Sequence, residues 1–557
     1  MSKKETITIY CKNNKKYYEF EAGISVMEIY EKIDFKTPYL LTCCRVDNKN
    51  ENLNFRCYRS KDIEYLDITH PSGLRTYVRT LCLILSKAVD DCFPGSHIYI
   101  EHPLSRGYYC ALEIGRPVTE QDVDVLKKRM WEIIDADYPV GVYRKQTDKV
   151  VELFRNAGKE NQARLFESCG QVYSTYHTLD GYLDFYNGAL LPSTKTIYIF
   201  ELTKYYDGIL LRIPSRENPR ELQSFIRQEK MMNVYKEEIE FLRVWGLMNV
   251  GDLNKAEEKR DIGLLIKVAE ALQEKQIARI AATIAQKYKE GLRVVLIAGP
   301  SSSGKTTFCK RLQVQMMTNK INPIGISLDD YYVNRVDTPL APNGDYDYES
   351  LYAIDLKTFN EDLNKLLNGE EIALPTYNFV TGTRVYRGNT VKLEENTILV
   401  MEGIHALNPD LLPQIDHDTT YKIYVSALTA ISLDDHNWIP TTDNRLIRRI
   451  VRDYQFRQYS AKETIARWES VRQGEEKWIF PYQENADEMF NSAMLYELAA
   501  LRRFAEPILS QVMPADPEYS EAYRLLKFLR FFKYIDINDL SNTSLLREFL
   551  GGSSFRY

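Results

Sequence analysis

A chain of 557 residues is too long for one hydrophobic core and implies three or four folding units. With 44% apolar and 27% charged residues it has the composition of a folded globular protein, which excludes a chain dominated by disorder. A net charge of −6 at this length removes any bulk electrostatic case for DNA binding or for a polybasic membrane anchor.

Nine cysteines, an odd number without paired CxxC spacing and in apolar settings such as Leu81-Cys82-Leu83, read as reduced thiols rather than a disulfide framework. The opening MSKKETITIY lacks the apolar core of a signal peptide, and no apolar run reaches the roughly 18 residues of a membrane helix. The expected location is the cytoplasm.

Residues 1–66 alternate in short β-type runs at 5–10 and 17–21, with a helix-like stretch from Ser25 to Lys32, predicting a small α+β unit. Residues 67–218 mix helical patterns (Asp122–Ala136) with strand-like runs (Thr196–Leu202, Gly208–Ile213). Residues 219–290 are rich in Ala, Glu, Lys, Gln and Leu and read as a helical connector. Over 291–505 apolar runs at Val294–Ala298, Ile324–Leu328, Ile398–Met401 and Tyr421–Val425 alternate with helical patterns, as buried parallel strands do. A helical tail, 506–557, follows and ends in GGSSFRY, expected to fray. Leu495–Phe504 and Glu521–Phe532 are the clearest late helices.

The chemistry concentrates in the fourth unit. Gly299-Pro300-Ser301-Ser302-Ser303-Gly304-Lys305-Thr306-Thr307 matches GxxxxGK[ST] between an apolar run and a helix-like stretch, so its N–H groups and the helix N-terminus can cradle phosphates. Lys305 is then placed to bridge the β- and γ-phosphates and Thr306 to ligate Mg²⁺, with ATP as the nucleotide. The second apolar run ends in Asp329-Asp330-Tyr331-Tyr332, putting carboxylates at a strand's carboxyl end. Asp329 is a candidate general base, its alternatives being a ligand of metal-bound water or a helix N-cap. Glu402, after the third run, stands where a Walker-B carboxylate holds Mg²⁺. Arg445, Arg448, Arg449 and Arg452 recur at helical spacing opposite Ile447, Ile450, Val451 and Tyr454. Such a face can clamp a phosphoryl group or pair with nearby acids.

These motifs, in order from Leu292 to Phe504, resemble the uridine kinase and phosphoribulokinase family of P-loop kinases. The resemblance implies Asp329 as base and Tyr332 as an acceptor contact, and Asp347 within Tyr346-Asp347 as a ribose-site residue paired with Arg445. It implies Tyr377 and Phe379 on a base-binding loop, and Arg448 and Arg452 on the phosphates. Where the family's uridine and cytidine kinases carry a base-reading histidine in that loop, this chain has Gly382.

The front half resembles threonyl-tRNA synthetases: residues 5–66 their β-grasp TGS module, and Tyr77–Pro94, Gly107-Tyr108-Tyr109 and Asp184–Pro192 their second additional domain. The positions of that domain's editing histidines and cysteine are Thr76, Thr80, Tyr186 and Leu190 here, and without the editing groups neither metal binding nor general-base chemistry is supported. His70, His97 and His102 read as turn or packing residues.

The expected fold class is therefore multidomain α/β and α+β: a P-loop parallel sheet flanked by helices, preceded by a TGS-like β-grasp domain and an α+β editing-like domain. The expected activity is phosphorylation of a nucleoside 5′-hydroxyl by ATP with Mg²⁺. Alternatives are a kinase for another sugar or polyol, and a nucleotide-sensing regulator that binds tRNA. Neither DNA nor a membrane is an expected partner.

Overall fold

The computed structural model describes residues 5–259, 261–341, 344–413 and 419–556. The first four residues, part of the opening read for a signal segment, and Tyr557 lie outside them.

The first sixty or so residues form a five-stranded sheet wrapped on the helix Val26–Lys32, with strands Thr6–Cys11 and Lys61–Asp67 parallel at its centre. Ser25 caps the helix and Glu28 returns the bond in a capping box. Ile9, Val26, Ile29, Cys44 and Ile63 close a separate core. Next, the 22-residue helix Pro71–Cys92 and the helix Glu120–Asp135 pack with a four-stranded antiparallel sheet that includes His97–Leu104 and Gly107–Glu113. The strand expected over Thr196–Leu202 is confined to Glu201–Tyr205. Ahead of it the Tyr77 hydroxyl does the work of a ladder: it donates to the Ile199 carbonyl at 2.7 Å and accepts from the N–H groups of Tyr198 and Ile199.

The connector is helical from Glu229, in three segments ending with the 28-residue helix Ile262–Lys289. Beyond it five strands run parallel in the order Asn322–Ser327, Thr397–Glu402, Val294–Ala298, Thr420–Ser426, Glu488–Asn491. The central strand is buried at every position, consistent with helices covering both faces. The fifth strand, Glu488–Asn491 at the sheet edge, and the helix Ala461–Trp478 have no counterpart among the predicted elements.

One core joins this sheet to the connector, to residues such as Phe154 and Phe166 of the front half, and to Leu545, Leu546 and Phe549 near the carboxyl end. That end is tied down rather than frayed: the Ser554 N–H donates to the Asn542 carbonyl at 2.9 Å.

Candidate functional site

From the central strand the chain crosses to Asn322–Ser327 on one side of the sheet, whereas from Thr397–Glu402 it crosses to Thr420–Ser426 on the other, and at such a reversal open α/β sheets hold ligands. Gly299–Gly304 turns there into the helix Lys305–Thr318. The turn needs left-handed backbone at Ser302 (φ +59°) and Gly304 (φ +83°). At Gly304 a side chain is also barred by Leu545, whose Cδ2 would lie 2.5 Å from an added Cβ. The first N–H groups of a helix have no partner within it and sit at its positive end, so they offer an anion a ready site. The Ser302 and Ser303 hydroxyls are buried without a hydrogen-bond partner among the described residues.

The other side of the loop is anchored. Arg445 Nε donates to the Ser301 carbonyl at 2.9 Å and Arg448 Nη1 to the Ser302 carbonyl at 3.4 Å, while Ser492 Oγ donates to the Ser303 carbonyl. Glu475 Oε1 accepts the Ser301 N–H at 3.2 Å and pairs with Arg445; Glu497 pairs with Arg448 at 2.5 Å. A phosphate loop presents N–H groups to its ligand, so guanidinium groups bound to its carbonyls stand behind it. Arg445 (1% exposed) and Arg448 (0%) were expected on acceptor and phosphates; the structure corrects both to braces of the loop. Arg445 is paired with Glu475, not with Asp347. Removing one partner of such a buried pair costs about 3–5 kcal/mol.

In front of the loop Lys305 Nζ donates to the Pro300 carbonyl at 3.3 Å, and Thr306 Oγ1 donates to Glu402 Oε1 at 3.2 Å. Burial pushes the Glu402 carboxyl up to about 7 against the pull of Lys305. Burial also raises Asp329 above its ordinary 3.8, opposed by Lys305, Arg457, a hydrogen bond from Tyr332, and Arg452. Glu349 is pushed up to about 7 by burial and by Glu475, opposed by Arg449 and Lys305. The ammonium of Lys305 thus sits among three carboxyl groups that two adjacent strands and the 345–350 segment bring together. Arg449, Arg452 and Arg457 converge on Asp453 at 3.2, 3.0 and 3.6 Å and supply the opposing positive charge. Glu349, Arg457 and Glu475 carry no linear signal; Gly474 alone hints at one of them, since a Cβ there would meet Glu349 Cβ at 2.3 Å.

A further acid reaches the loop from near the carboxyl end. The Thr307 N–H and hydroxyl both donate to Glu548 Oε2, at 3.2 and 2.7 Å, and Phe549 lies 5.0 Å beneath the Arg448 guanidinium.

The expected acceptor residues fall into two groups. Tyr332, Tyr377 and Phe379 form one aromatic cluster with centroids 5.0–6.4 Å apart. Asp330 pins it by accepting the Tyr377 N–H at 3.0 Å. Asp347, half-buried between exposed Tyr346 and Tyr348, has its N–H on the Pro339 carbonyl at 2.7 Å. Gly382 (φ +71°) does not leave open space: Arg335 covers it, its Cβ 2.7 Å from an added Cβ, and Arg335 Nη2 donates to the Phe379 carbonyl at 2.6 Å.

A nucleotide triphosphate with Mg²⁺ fits these residues. The loop offers N–H groups and Lys305, and the Thr306–Glu402 contact is a hydroxyl and a carboxylate, the oxygen donors that a hard cation takes together with phosphate oxygens. Among the described residues no cluster of three or more His, Cys, Asp or Glu groups could hold a metal by itself.

In the front half Thr76 Oγ1 donates to the Ser72 carbonyl and Thr80 Oγ1 to the Thr76 carbonyl, and Tyr186 and Leu190 are buried. His70 caps the helix Pro71–Cys92, and His102 stacks on Tyr235 at 5.6 Å. No described helix is long and apolar enough to cross a membrane.

Comparison with known proteins divides the chain in the same way. Residues 294–498 match the model of the Phosphoribulokinase / Uridine kinase family. The N-terminal region matches threonine–tRNA ligases: that of Azoarcus sp. (strain BH72) is 26% identical over 187 residues, 33% of this chain and 29% of the ligase. That of Symbiobacterium thermophilum is 24% identical over 196 residues, 34% of this chain and 30% of the ligase. The chain thus spans less than a third of the length of these curated relatives. Among solved structures, a possible uridine kinase from Bacillus stearothermophilus is 20% identical and covers 36% of this chain and 89% of its own, with a TM-score of 0.25. D-glycerate 3-kinase from Cryptococcus neoformans is 13% identical over 46% and 87%, with a TM-score of 0.21.

Proposed function

We propose that this chain, whose residues 294–498 are of the phosphoribulokinase and uridine kinase type, transfers the γ-phosphate of ATP to the 5′-hydroxyl of a nucleoside in the cytoplasm. The observation that carries the reading is the placement of Asp329 and Glu402, at the ends of two adjacent strands, around Lys305 of the phosphate loop. Loop N–H groups and Lys305 hold the triphosphate, and Arg449 and Arg452 offset the charge that builds on the transferring group. Asp329 takes the proton of the attacking hydroxyl as the new O–P bond forms and the β–γ bridge breaks, releasing ADP; its raised pKa suits a base. Thr306 and Glu402 would hold Mg²⁺, which would neutralise phosphate charge when bound. Arg445 and Arg448 keep the loop in shape. Tyr332, Tyr377 and Phe379 pack on the acceptor, and Asp347 takes its ribose hydroxyls.

Arg335, filling the place of a base-reading side chain at Gly382, favours a second reading in which the acceptor is another sugar or polyol. Incubating the purified chain with ATP, Mg²⁺ and a panel of nucleosides, sugars and polyols, with ADP release as readout, tests both. Turnover on a nucleoside supports the first reading, turnover confined to sugars or polyols the second, and no turnover on any acceptor overturns the kinase assignment.

A further inference from the structure

Where the front half meets the kinase half lies a cavity of about 760 Å³ open to solvent, lined by the start of the helix Pro71–Cys92 on one side and by the helices Ala461–Trp478 and Tyr519–Leu529 on the other. Six arginines line it: Arg45, Arg75, Arg79, Arg216, Arg472 and Arg524. Five are paired. Arg45 bonds Glu64, Arg75 bonds Glu521, Arg216 bonds Glu469, Arg472 bonds Glu475 and Glu476, and Arg524 bonds Asp443 and Glu521.

Arg79 is the exception: among the described residues its guanidinium has no hydrogen-bond or ion-pair partner. The fold makes room for it at Gly188, where an added Cβ would come within 2.4 Å of Arg79 Nη1. Burial and the neighbouring Arg75 and Arg524 lower its pKa to about 10, so it stays charged at neutral pH. The acids of the lining do not answer it. Glu521, Asp443, Glu469 and Glu476 are engaged as above, and the partnerless oxygen of Glu518 is sealed from solvent. A charged guanidinium with no acceptor from the protein, facing a cavity and crowded by two other cations, offers an anion a charge-assisted contact that none of the lining carboxylates takes. The cavity is of the size that encloses small ligands. Trp468 and the Tyr108–Trp438 pair, 4.6 Å between centroids, add aromatic surface beside the cations.

We propose that this cavity binds a phosphate-bearing small molecule of mononucleotide size, with Arg79 as its principal anion contact. The site belongs to the junction, because Arg472 and Arg524 come from the kinase half and Arg79 from the front half, and it does not depend on which reaction the phosphate loop performs. Arg472 also connects the lining to that loop: its Nη1 is 3.0 Å from Glu475 Oε2, and Glu475 Oε1 holds Ser301.

The test uses the full chain carrying Lys305→Ala, which weakens the phosphate loop as a competing site, with titration calorimetry against uridine 5′-monophosphate, adenosine 5′-monophosphate and inorganic phosphate. One mole of a mononucleotide binding per chain, weakened at least ~10-fold by adding Arg79→Gln and less by Arg79→Lys, is the expected result. Thermal melts establish that the variants fold, and the lysine variant keeps the comparison interpretable if the glutamine variant does not. Absence of binding by every probe, or binding that Arg79→Gln and Arg79→Lys leave unchanged, overturns the proposal.

Discussion

The chain holds two places where a reaction could be housed, and they differ in what their polar groups face. Around Lys305, Asp329, Glu349 and Glu402 are half-buried beside opposite charge, so their protonation responds to whatever enters. Around Thr76 and Thr80, hydroxyls donate to carbonyls one helical turn back, and Tyr186 and Leu190 close the space. Both regions have enzyme relatives. At the positions named for each, only the first carries ionisable side chains grouped around a phosphate loop, and function resides in a site rather than in the fold that bears it.

Three substitutions test that contrast. The largest effect is expected for Asp329→Asn, which should lower turnover at least ~10²-fold while leaving ATP affinity, measured by equilibrium binding, within about threefold of the parent. Unchanged turnover would remove Asp329 as the base. A smaller effect is expected from Glu402→Gln. Because Glu402 releases its proton only near pH 7, Mg²⁺ affinity of the parent should rise with pH across that value, since the cation takes the ionised carboxylate. The variant should bind Mg²⁺ about 10-fold more weakly, without that rise; a pH dependence that survives the substitution would place the metal elsewhere. For folding the sign is opposite. A carboxyl raised from 4.5 to about 7 favours the folded chain fully below 4.5, and that contribution is lost as pH rises through about 7.

The smallest effect belongs to the front half. Thr80→Ala removes the acceptor of the Leu191 N–H, 2.8 Å away, and should cost ~1 kcal/mol, a drop of a few degrees in Tm, with turnover unchanged. A tenfold loss of turnover in protein of normal stability would show that this region serves the reaction after all.

The phosphate loop and the carboxylates at Asp329 and Glu402 were readable because each is a short linear signal at the end of an apolar run. Val294–Ala298, buried on both faces, was located to the residue. Glu488–Asn491 was not, because four residues led by an acid carry no periodicity. The arginine stripe shows the limit of helical spacing. It groups side chains by face but does not say which face is inside. Arg445 and Arg448 go inward with Ile447 and Ile450, because Glu475 and Glu497, thirty and forty-nine residues further on, meet them there, while Tyr454 stays exposed. Nor does any pattern announce that Arg335 would cover Gly382, a contact made across 47 residues of chain.

Glu548 gives the carboxyl terminus a stake in the nucleotide pocket. Its carboxylate already engages the Thr307 amide at the start of the loop helix, so a phosphate oxygen arriving at that amide exchanges with an anion of the protein rather than with water alone. A phosphate ligand that takes this amide must therefore compete with the Glu548 carboxylate, which the buried Phe549 beside it holds in place. Trimming the last dozen residues, or fusing a tag to them, is by this geometry an edit to the loop around Lys305.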